Sequence, residues 1–574
     1  MLSWASSLFG GGGGASQDTG AGAGDVRDEP RADVRDEPRA PPDPKAASAR
    51  GRLERYDPAS GTFSPVLDSA QVSMFRTDPA GSPFAYTFVV ADDKGAVQVS
   101  QAVDHGMQVQ FNRNAHSMVW VLSLGAPDDL DADLVSLSFV FADPSEEDKF
   151  KMAIATRLYE ASRQESFEKT VKSADSAWVL NANADVDDTL PPGEPMEFDS
   201  DWGSNDDDDD DDDAGQQQDA DESRRVMVTP PRARDDRRSS VFMKNSQLAV
   251  GMGSDRSFVV RGSDVGVFKH GRDGMQYMAS IDQVRGSDGS VFSPTKVMLH
   301  DRDRKMLMLR ADRDNSIVEY DLETQQIVQE YNAGDDNKIR DIGPESRFAQ
   351  MTGTEMITGL NRNSLFAMDP RINATNKVVQ DFTYTANPHM SCVSSTGASQ
   401  YAVGSDKGEI RMFSAIGKRA KTLLPGLGHA ITAVDVSADG QWLLATTDRY
   451  IMLVSTLLDD GRTGFQVSMG KSKPVPIKLQ LSPQDLVKHG IREVRFRRAT
   501  FDMPGDSKEQ FIVSATGNLL VTWKMKDVQR GRLNDYTVKV YDESVVADQF
   551  RYGHSDVVVA LPDDVKRARF RNRK

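Results

Sequence analysis

The sequence predicts a mainly β protein: a small barrel closed by a C-terminal helix, an acidic disordered linker, and a seven-bladed β-propeller. Three observations lead to this prediction. Short apolar stretches recur through the second half of the chain, a strand-rich segment followed by one helix fills residues 51–170, and a run of aspartates separates the two patterns. With 574 residues, the chain is too long for one ordinary hydrophobic core.

The recurring stretches resemble one another and lie about 40 to 50 residues apart, with one longer gap of about 70. They are 265–268, 317–320, 365–368, 410–413, 451–454, 519–522 and 557–560. Such a period is typical of propeller blades, which close into a ring because one blade cannot bury both of its faces. We therefore predict a propeller over 241–574, with an insertion at one rim in the long gap and a basic C-terminal tail at 566–574.

The strand-rich segment is predicted to form the barrel over 51–170. Its candidate strands are 72–76, 84–91, 97–103, 107–113, 117–124 and 134–142, of which the second and last are rich in β-branched and aromatic residues. A helix follows, with Ser145 as the expected N-cap and an apolar side formed by Phe150, Ala153, Ile154, Leu158 and Ala161. Six or seven strands closed by one helix is the plan of a pleckstrin-homology-like (PH-like) domain.

Charge and low complexity define the remaining segments. Residues 1–50 contain a repeated octapeptide without large apolar residues other than valine, and are predicted to be a disordered tail. The net charge is -18, and about eighteen acidic residues with no basic one lie between 185 and 222. We predict a linker over 171–240, acidic first (206–213 are all aspartate) and basic later. Ser204, just before the aspartates, is a candidate phosphorylation site for an acidophilic kinase.

Composition and motif spacing argue against an enzyme. Cys392 is the only cysteine, so neither a disulfide nor a cysteine-based metal site within the chain is expected. The eight histidines are scattered, and no set of carboxylates or histidines is seen that would converge on the propeller axis. We therefore predict no catalytic residues, no metal and no cofactor. No apolar run is long enough for a membrane-spanning helix.

Several segments of the second half closely resemble the vacuolar import and degradation protein 27 family. They are 306–323, 359–371, 402–411, 417–428 and 436–446, of which Gly417-Lys418-Arg419-Ala420-Lys421-Thr422-Leu423-Leu424-Pro425-Gly426 is the most specific. The resemblance covers roughly 230–560 strongly, and the barrel and linker by the order of parts. It implies a WD-repeat-like propeller and a role in vacuolar trafficking or degradation, and it includes plant proteins described as needed for embryo and meristem development.

Six basic residues are candidates for partner binding. Lys418, Arg419 and Lys421 are expected on an exposed connection after a strand, with Arg411 close by in that strand, and with Arg340 and Arg362 in comparable loops of earlier blades. The functional interpretation is a basic patch on one face that docks an acidic segment, either of a partner or the chain's own aspartate run. The alternative is that they are solvated loop charges.

The function we predict is a non-enzymatic scaffold or adaptor for protein–protein interaction, in vacuolar import and degradation or related trafficking. The alternative is a nucleocytoplasmic factor that binds a small GTPase through its PH-like domain. Phosphoinositide binding is not expected, because residues 51–170 are acidic and an anionic membrane would repel them. Nucleic-acid binding is not expected either. The expected location is the cytoplasm, and also the nucleus if the basic tail is an import signal.

Overall fold

A computed structural model of the chain describes residues 47–77, 82–124, 133–182, 185–186, 196–198, 243–271, 274–334, 337–505 and 508–572. The chain divides into two units, Met1–Pro42 and Asp43–Lys574, and every described residue belongs to the second unit. Of the predicted N-terminal tail, 1–50, residues 1–46 lie outside the described residues. Residues 47–50 belong to the first strand, so the predicted tail is too long. Among the helices that are described, none is long and apolar enough to span a membrane.

The first folded part is an eight-stranded sheet with one long helix, which confirms the predicted PH-like plan. Neighbouring strands in the order β4-β3-β2-β1-β7-β6-β5 are antiparallel, and β8 joins β5 in parallel. The strands are β1 (Ala47–Asp57), β2 (Thr62–Arg76), β3 (Tyr86–Asp92), β4 (Val97–Ala102), β5 (Gln110–Asn112), β6 (Ser117–Ser123), β7 (Leu134–Phe141) and β8 (Asp185–Val186).

The helix α1 (Pro144–Arg163) packs its apolar side into this sheet, as its residue spacing predicts. Phe150 and Ile154 are buried among the aromatic residues of the sheet, with the Phe150 ring centroid 6.3 Å from that of Phe88. The N-cap is Asp143, not Ser145 as predicted. An Asp143 carboxylate oxygen accepts a hydrogen bond from the Ser145 backbone N–H at 2.8 Å, which is the contact that an N-cap side chain makes.

The second part is a ring of seven four-stranded antiparallel sheets, which confirms the predicted propeller. The strands of each blade follow in chain order. Blade 1 is β10 (Asn245–Val250), β11 (Arg256–Arg261), β12 (Asp264–Gly271) and β13 (Gly274–Ile281), and blade 2 is β14 (Pro294–His300), β15 (Lys305–Arg310), β16 (Ser316–Asp321) and β17 (Gln326–Asn332). Blade 3 is β18 (Asp341–Pro344), β19 (Ile357–Leu360), β20 (Ser364–Met368) and β21 (Val378–Thr383), and blade 4 is β22 (Met390–Ser395), β23 (Tyr401–Ser405), β24 (Ile410–Phe413) and β25 (Thr422–Leu424).

Blades 5 and 6 continue the same order from the channel outward. They are β26 (Ala433–Val436), β27 (Trp442–Thr446), β28 (Ile451–Ser455) and β29 (Ile477–Leu479); β30 (Thr500–Phe501), β31 (Phe511–Thr516), β32 (Leu519–Lys524) and β33 (Tyr536–Val540). We call the end of the ring where each innermost strand begins face 1. Because neighbouring strands are antiparallel, the turns between second and third strands also lie on face 1, and the other turns within blades lie on face 2.

Blade 7 takes its outermost strand from a distant part of the chain. It consists of β34 (Ala547–Phe550), β35 (Asp556–Ala560), β36 (Val565–Asn572) and β9 (Met196–Phe198), which precedes the propeller in sequence. Six of the seven repeated stretches fall in third strands, but 557–560 is the second strand of its blade. The seventh blade is therefore correctly counted from the sequence, but its strands are out of phase with the repeat.

The prediction of a basic C-terminal tail is wrong, because Val565–Asn572 is a strand. Its apolar residues Ala568 and Phe570 are buried in the blade core, so small and aromatic residues alternate with the cations. Arg567 is 7% exposed in its side chain and lies 3.4 Å from the Asp556 carboxylate. A residue held in this way is not available as part of a nuclear import signal.

The predicted linker, 171–240, is also partly folded. The helices α2 (Phe167–Thr170) and α3 (Ser173–Leu180) continue from α1, and β8 and β9 follow in the same segment. The aspartate run 206–213 and the later basic residues lie outside the described residues. In the sequence they connect β9 to β10, so they join two strands of the ring and not the PH-like domain to the propeller.

Polar side chains on the innermost strands join successive blades. Asp341 and Asp435 each accept a hydrogen bond from a backbone N–H of the next blade, and Gln549 does the same where the ring closes between blades 7 and 1. The donor–acceptor pairs are Val393 N to Asp341 Oδ2 at 2.9 Å, Phe501 N to Asp435 Oδ2 at 2.9 Å, and Val250 N to Gln549 Oε1 at 3.2 Å.

The PH-like domain packs against blades 4, 5 and 6. One apolar cluster contains Tyr159, Phe167, Trp178 and Val179 from its helices and Leu427, Phe465 and Met469 from the propeller. A second contains Val121 of β6 and Leu486 of the helix α4 (Pro483–His489), which contacts β6 and β7. The insertion predicted in the long gap therefore exists, and much of it serves to hold the PH-like domain.

Polar contacts fix the position of this interface. The Gln480 side-chain amide donates to the carbonyl oxygens of Gln108 and Val109 at 3.0 and 3.1 Å. Gln108 in turn donates through its own side chain to the carbonyl oxygen of Arg449 at 3.2 Å. Because these bonds involve backbone atoms of both parts, a shift of the interface by one residue would leave buried polar groups unsatisfied.

Two histidines meet within this interface. The ring of His105 lies edge-on to that of His429, with centroids 4.5 Å apart, and both rings contact Tyr450. Burial lowers the pKa of His429 to about 4, and it holds the pKa of His105 well below its usual range. The nearby Lys478 ammonium is buried as well, which lowers its pKa to about 8. All of these groups disfavour added positive charge at the interface.

Removing the β9 contact should loosen the ring. We expect the double substitution Glu197→Pro and Phe198→Pro to remove backbone pairing with β36 and to cost roughly 1–3 kcal/mol of stability, because proline cannot donate to a ladder. Amide hydrogen exchange over 565–572 should become faster. The matched control is Gln216→Pro with Gln217→Pro. Unchanged exchange in the first variant would show that blade 7 closes without β9.

The interface histidines should make stability fall in acid. Their pKa values are lower in the folded than in the unfolded chain, so their contribution is complete above about pH 6.5 and is lost as pH falls towards 4. We expect His429→Gln to reduce this loss by about 1–2 kcal/mol, as measured by urea unfolding at pH 7 and pH 4.5. The same change at the exposed His554 is the control. Parallel pH profiles for wild type and His429→Gln would contradict the assignment.

Candidate functional site

The innermost strands of all seven blades surround a central channel with a volume of about 670 Å³. Its wall combines apolar side chains with charged ones, among them Asp341, Asp435 and Asp548 together with lysine and arginine side chains. Sequence patterns do not reveal this set, since the three aspartates lie on strands more than ninety positions apart and only ring closure brings them to one axis. The channel is the candidate functional site.

Two of the three aspartates are satisfied by partners within the chain. Asp341 pairs with the Lys296 ammonium, and its other oxygen accepts the Val393 N–H. Asp435 lies 2.9 Å from Arg347, a residue with only 7% of its side chain exposed. The first pair joins blade 2 to blade 3 and the second joins blade 3 to blade 5, and both leave little capacity for a ligand.

Asp548 differs from the other two aspartates. Neither of its carboxylate oxygens has a hydrogen-bond partner among the described residues, although both oxygens are buried. Burial raises its pKa to about 7, against the opposing effect of the Arg497 and Arg498 guanidinium groups. Near neutral pH the side chain is therefore close to half protonated, and in its acid form it can donate a hydrogen bond.

Arg497 and Arg498 lie at the face 1 mouth of the channel, immediately before β30. Both are exposed, and the side chain of Arg498 is 48% accessible. The carboxylate of Asp435 is 3.9 Å from Arg498, which is too far for a hydrogen bond. Within the described part of the chain, Arg497 has no carboxylate within ion-pair distance. We call Arg497, Arg498 and Asp548 the mouth cluster.

Three of the sequence-predicted residues lie on face 1 and are already paired. Arg340 donates to Asp406 at 2.7 Å, and Arg411 lies 2.9 Å from Glu409. Arg362 is exposed, and its Nη2 lies 2.6 Å from His389 Nδ1. Only Arg340 lines the channel.

The other three predicted residues lie on the opposite face. Lys418, Arg419 and Lys421 are exposed on the connection between β24 and β25, which is a face 2 turn. The structure therefore does not bring the six cations into one patch. Ser204 lies outside the described residues. Cys392 is buried in β22, and burial raises the pKa of its thiol to about 12.

Sequence reasoning missed the mouth cluster. The only local signal is Arg495-Phe496-Arg497-Arg498, in which cations alternate with an aromatic residue just before a strand. Its meaning depends on knowing that this strand lines the channel. The part of the chain that the structure describes holds no group of three or more side chains suited to a metal ion.

Both folded parts match models of one protein family. Residues 243–574 match the VID27 C-terminal WD40-like domain, and residues 44–161 match the VID27 PH-like domain. These matches agree with the order of parts described above.

Two curated proteins named vacuolar import and degradation protein 27 are similar to this chain. The one from Schizosaccharomyces pombe is 38% identical over 341 residues, which is 57% of this chain and 42% of that protein. The one from Saccharomyces cerevisiae is 32% identical over 358 residues, which is 60% of this chain and 46% of that protein. The match thus spans less than half the length of either relative.

Among solved structures, the β-propeller domain of Cps50 (Swd1) from Myceliophteria thermophila is similar. It is 12% identical with a TM-score of 0.41, and the match covers 57% of this chain and 96% of that one. A similarity this remote says nothing about function.

Replacing Asp548 by asparagine should stabilise the protein at alkaline pH. Because the folded pKa is raised to about 7, the stability linked to this group is present at low pH and is lost as pH rises through 7. We expect Asp548→Asn to gain about 1–3 kcal/mol at pH 8, the cost of a buried unsatisfied group, and much less at pH 5. Thermal unfolding of this variant, and of Asp542→Asn at an exposed site, measures the difference. An equal gain at both pH values would contradict the argument.

Proposed function

The chain belongs to the VID27 family, and we propose that it is a non-catalytic adaptor whose PH-like domain and propeller act as one protein-binding platform. The process that we propose for it is vacuolar import and degradation or related trafficking, as the names of its Schizosaccharomyces pombe and Saccharomyces cerevisiae relatives suggest. The proposed setting is the cytoplasm.

The observation that carries this proposal is the interface between the two parts. Trp178 is 2% exposed and shares one apolar cluster with residues of blades 4 and 5. The side chain of Asp175 pairs with Lys473, so the polar edge of the interface is also closed. Domains joined by a large apolar interface keep a fixed relative orientation. A partner that contacts both parts would then meet one preformed surface.

The pairing of Asp341 and Asp435 supports a non-catalytic role for these two channel aspartates, whereas Asp548 has no such partner among the described residues. Lys296 and Arg347 neutralise Asp341 and Asp435 within the chain, and these groups join blades. A general base or nucleophile needs a side chain that is free to exchange a proton or form a bond with substrate. A small GTPase is the alternative partner, proposed from the PH-like fold alone.

Separating the two parts should remove the function. We expect Trp178→Ala to cost about 3–5 kcal/mol at the interface and to undock the PH-like domain, which small-angle scattering would record as a larger radius of gyration. The exposed neighbour Ala177, changed to serine, is the control.

The functional readout is a chimera in which residues 44–574 of this chain, which contain both family domains and Trp178, replace the corresponding region of the Saccharomyces cerevisiae relative. We expect the chimera to restore vacuolar delivery of cargo in a strain lacking the relative, and the Trp178→Ala chimera to fail. A well-expressed chimera that restores nothing would overturn the trafficking proposal. Full activity of an undocked Trp178→Ala chimera would overturn the single-platform proposal.

A further inference from the structure

We propose that the face 1 mouth of the channel binds a carboxylate-rich segment of a partner protein, with Arg497 and Arg498 as the anion-binding residues and Asp548 as a positioning residue. The inference rests on the proposed adaptor function and names the chemistry of its partner. It is carried by three groups that the fold brings together. Asp548 has no hydrogen-bond partner among the described residues, Arg497 has no carboxylate within ion-pair distance there, and the contact of Arg498 with Asp435 is 3.9 Å long.

The charges around the mouth are matched except in this cluster. Lys296 pairs with Asp341, and Arg340 pairs with Asp406 at 2.7 Å. Deeper in the channel, Arg347 pairs with Asp435. Two more guanidinium groups, those of Arg497 and Arg498, line the channel. Arg498 has only a long contact, 3.9 Å, with Asp435, whose carboxylate already pairs with Arg347. Guanidinium groups bind carboxylates through paired N–H donors, so two adjacent ones form a site for an acidic side chain.

Asp548 adds a hydrogen-bond donor to the site. Ionised, it would repel any acidic ligand, but its burial raises its pKa to about 7, so its acid form is present near neutral pH. A neutral carboxylic acid can donate its O–H to a ligand carboxylate, which would satisfy an oxygen that has no partner among the described residues. The site therefore fits an aspartate or glutamate side chain, whose carboxylate can pair with the two guanidinium groups and accept this O–H.

The cations on face 2 provide a contrast. Lys418, Arg419 and Lys421 are exposed on a turn, and none of them lines the channel. A ligand there would have to order three long side chains in solvent, where ion pairs contribute only about 0–1 kcal/mol each. At the mouth, the channel wall restricts the ligand and lowers the local dielectric, so the same pairing is stronger.

The test uses the full-length chain and a fluorescein-labelled peptide of twelve residues, six of them aspartate or glutamate, in 0.15 M salt. We expect saturable binding by fluorescence anisotropy, and at least tenfold weaker binding by the double variant Arg497→Glu with Arg498→Glu. The control, Lys418→Glu with Arg419→Glu, makes the same charge change on face 2 and should bind within twofold of wild type. All proteins carry the same 206–213 run, so competition from it is equal.

Further arms separate the outcomes. Arg497→Lys with Arg498→Lys keeps the charge but not the paired geometry, and should bind with intermediate affinity. Equal losses in the face 1 and face 2 variants would overturn the inference, because they would indicate net charge alone. So would tighter binding of a phosphoserine peptide or an oligonucleotide than of the acidic peptide. Circular dichroism and thermal unfolding confirm that each variant is folded.

The role of Asp548 has its own readout. Peptide carboxylates titrate near pH 4, well below the window from pH 6 to 8. The charged groups that face Asp548 are Arg497 and Arg498, and those elsewhere on the wall are the pairs of Lys296 with Asp341 and Arg347 with Asp435. We expect wild-type binding to weaken between pH 6 and 8, and binding by Asp548→Asn to stay constant. A flat wild-type profile would remove Asp548 from the proposal.

Failure of this inference is distinguishable from failure of the proposed function. If no acidic peptide binds while the chimera restores cargo delivery, the adaptor function stands and the mouth cluster is not its site. If the chimera also fails, both are wrong. If the peptide binds as expected and Arg497→Glu with Arg498→Glu leaves cargo delivery intact, the mouth is a binding site that this process does not use, and the claim that it deepens the adaptor function is wrong.

Discussion

Closure of the ring depends on backbone pairing between β36, near the C-terminus, and β9, which lies before the first blade. Without β9 the last blade would have three strands and an unpaired edge, and such edges tend to pair with other chains. The requirement also fixes the path of the chain. Since β9 contacts both β36 and β33, the segment after the PH-like domain is anchored at blades 6 and 7, next to the blades on which that domain packs. The segment that leaves the PH-like domain thus also supplies the strand that completes blade 7, so docking of the domain and closure of the ring are coupled.

The interface between the parts combines two kinds of contact with different consequences. The apolar clusters around Trp178 and Leu486 provide most of the favourable free energy, which scales with the apolar area removed from water. The buried polar groups around His105 and Lys478 add little net stability, because their desolvation offsets their pairing. Their contribution is to fix one orientation, since alternative orientations would leave them unsatisfied. The result is that the PH-like surface and the channel mouth keep a constant spacing.

The sequence was sufficient for the fold and insufficient for the site, for physical reasons. Strand patterns such as 265–268 and the helix around Phe150 depend on residues close in sequence, so their periodicity is visible without a structure. The seventh blade was counted but placed out of phase, because its fourth strand comes from 196–198 and three-residue strands carry no periodicity. The sequence does not identify Asp548, because only the closed ring of seven blades shows that this buried side chain has no hydrogen-bond partner among the described residues. Arg340 and Arg411 looked available only because their partners, Asp406 and Glu409, could not be assigned.

Net charge and local charge have opposite signs at the proposed site, and this decides what kind of partner it can select. The protein carries a net charge of -18, most of it between 185 and 222, so a long polyanion is repelled before it reaches the surface. Screening confines this repulsion to about 8 Å at physiological ionic strength. A short acidic segment in the channel mouth would lie within that distance of the Arg497 and Arg498 guanidinium groups, which line the channel. The proposed attraction is therefore local, and it requires a ligand small enough to enter the mouth.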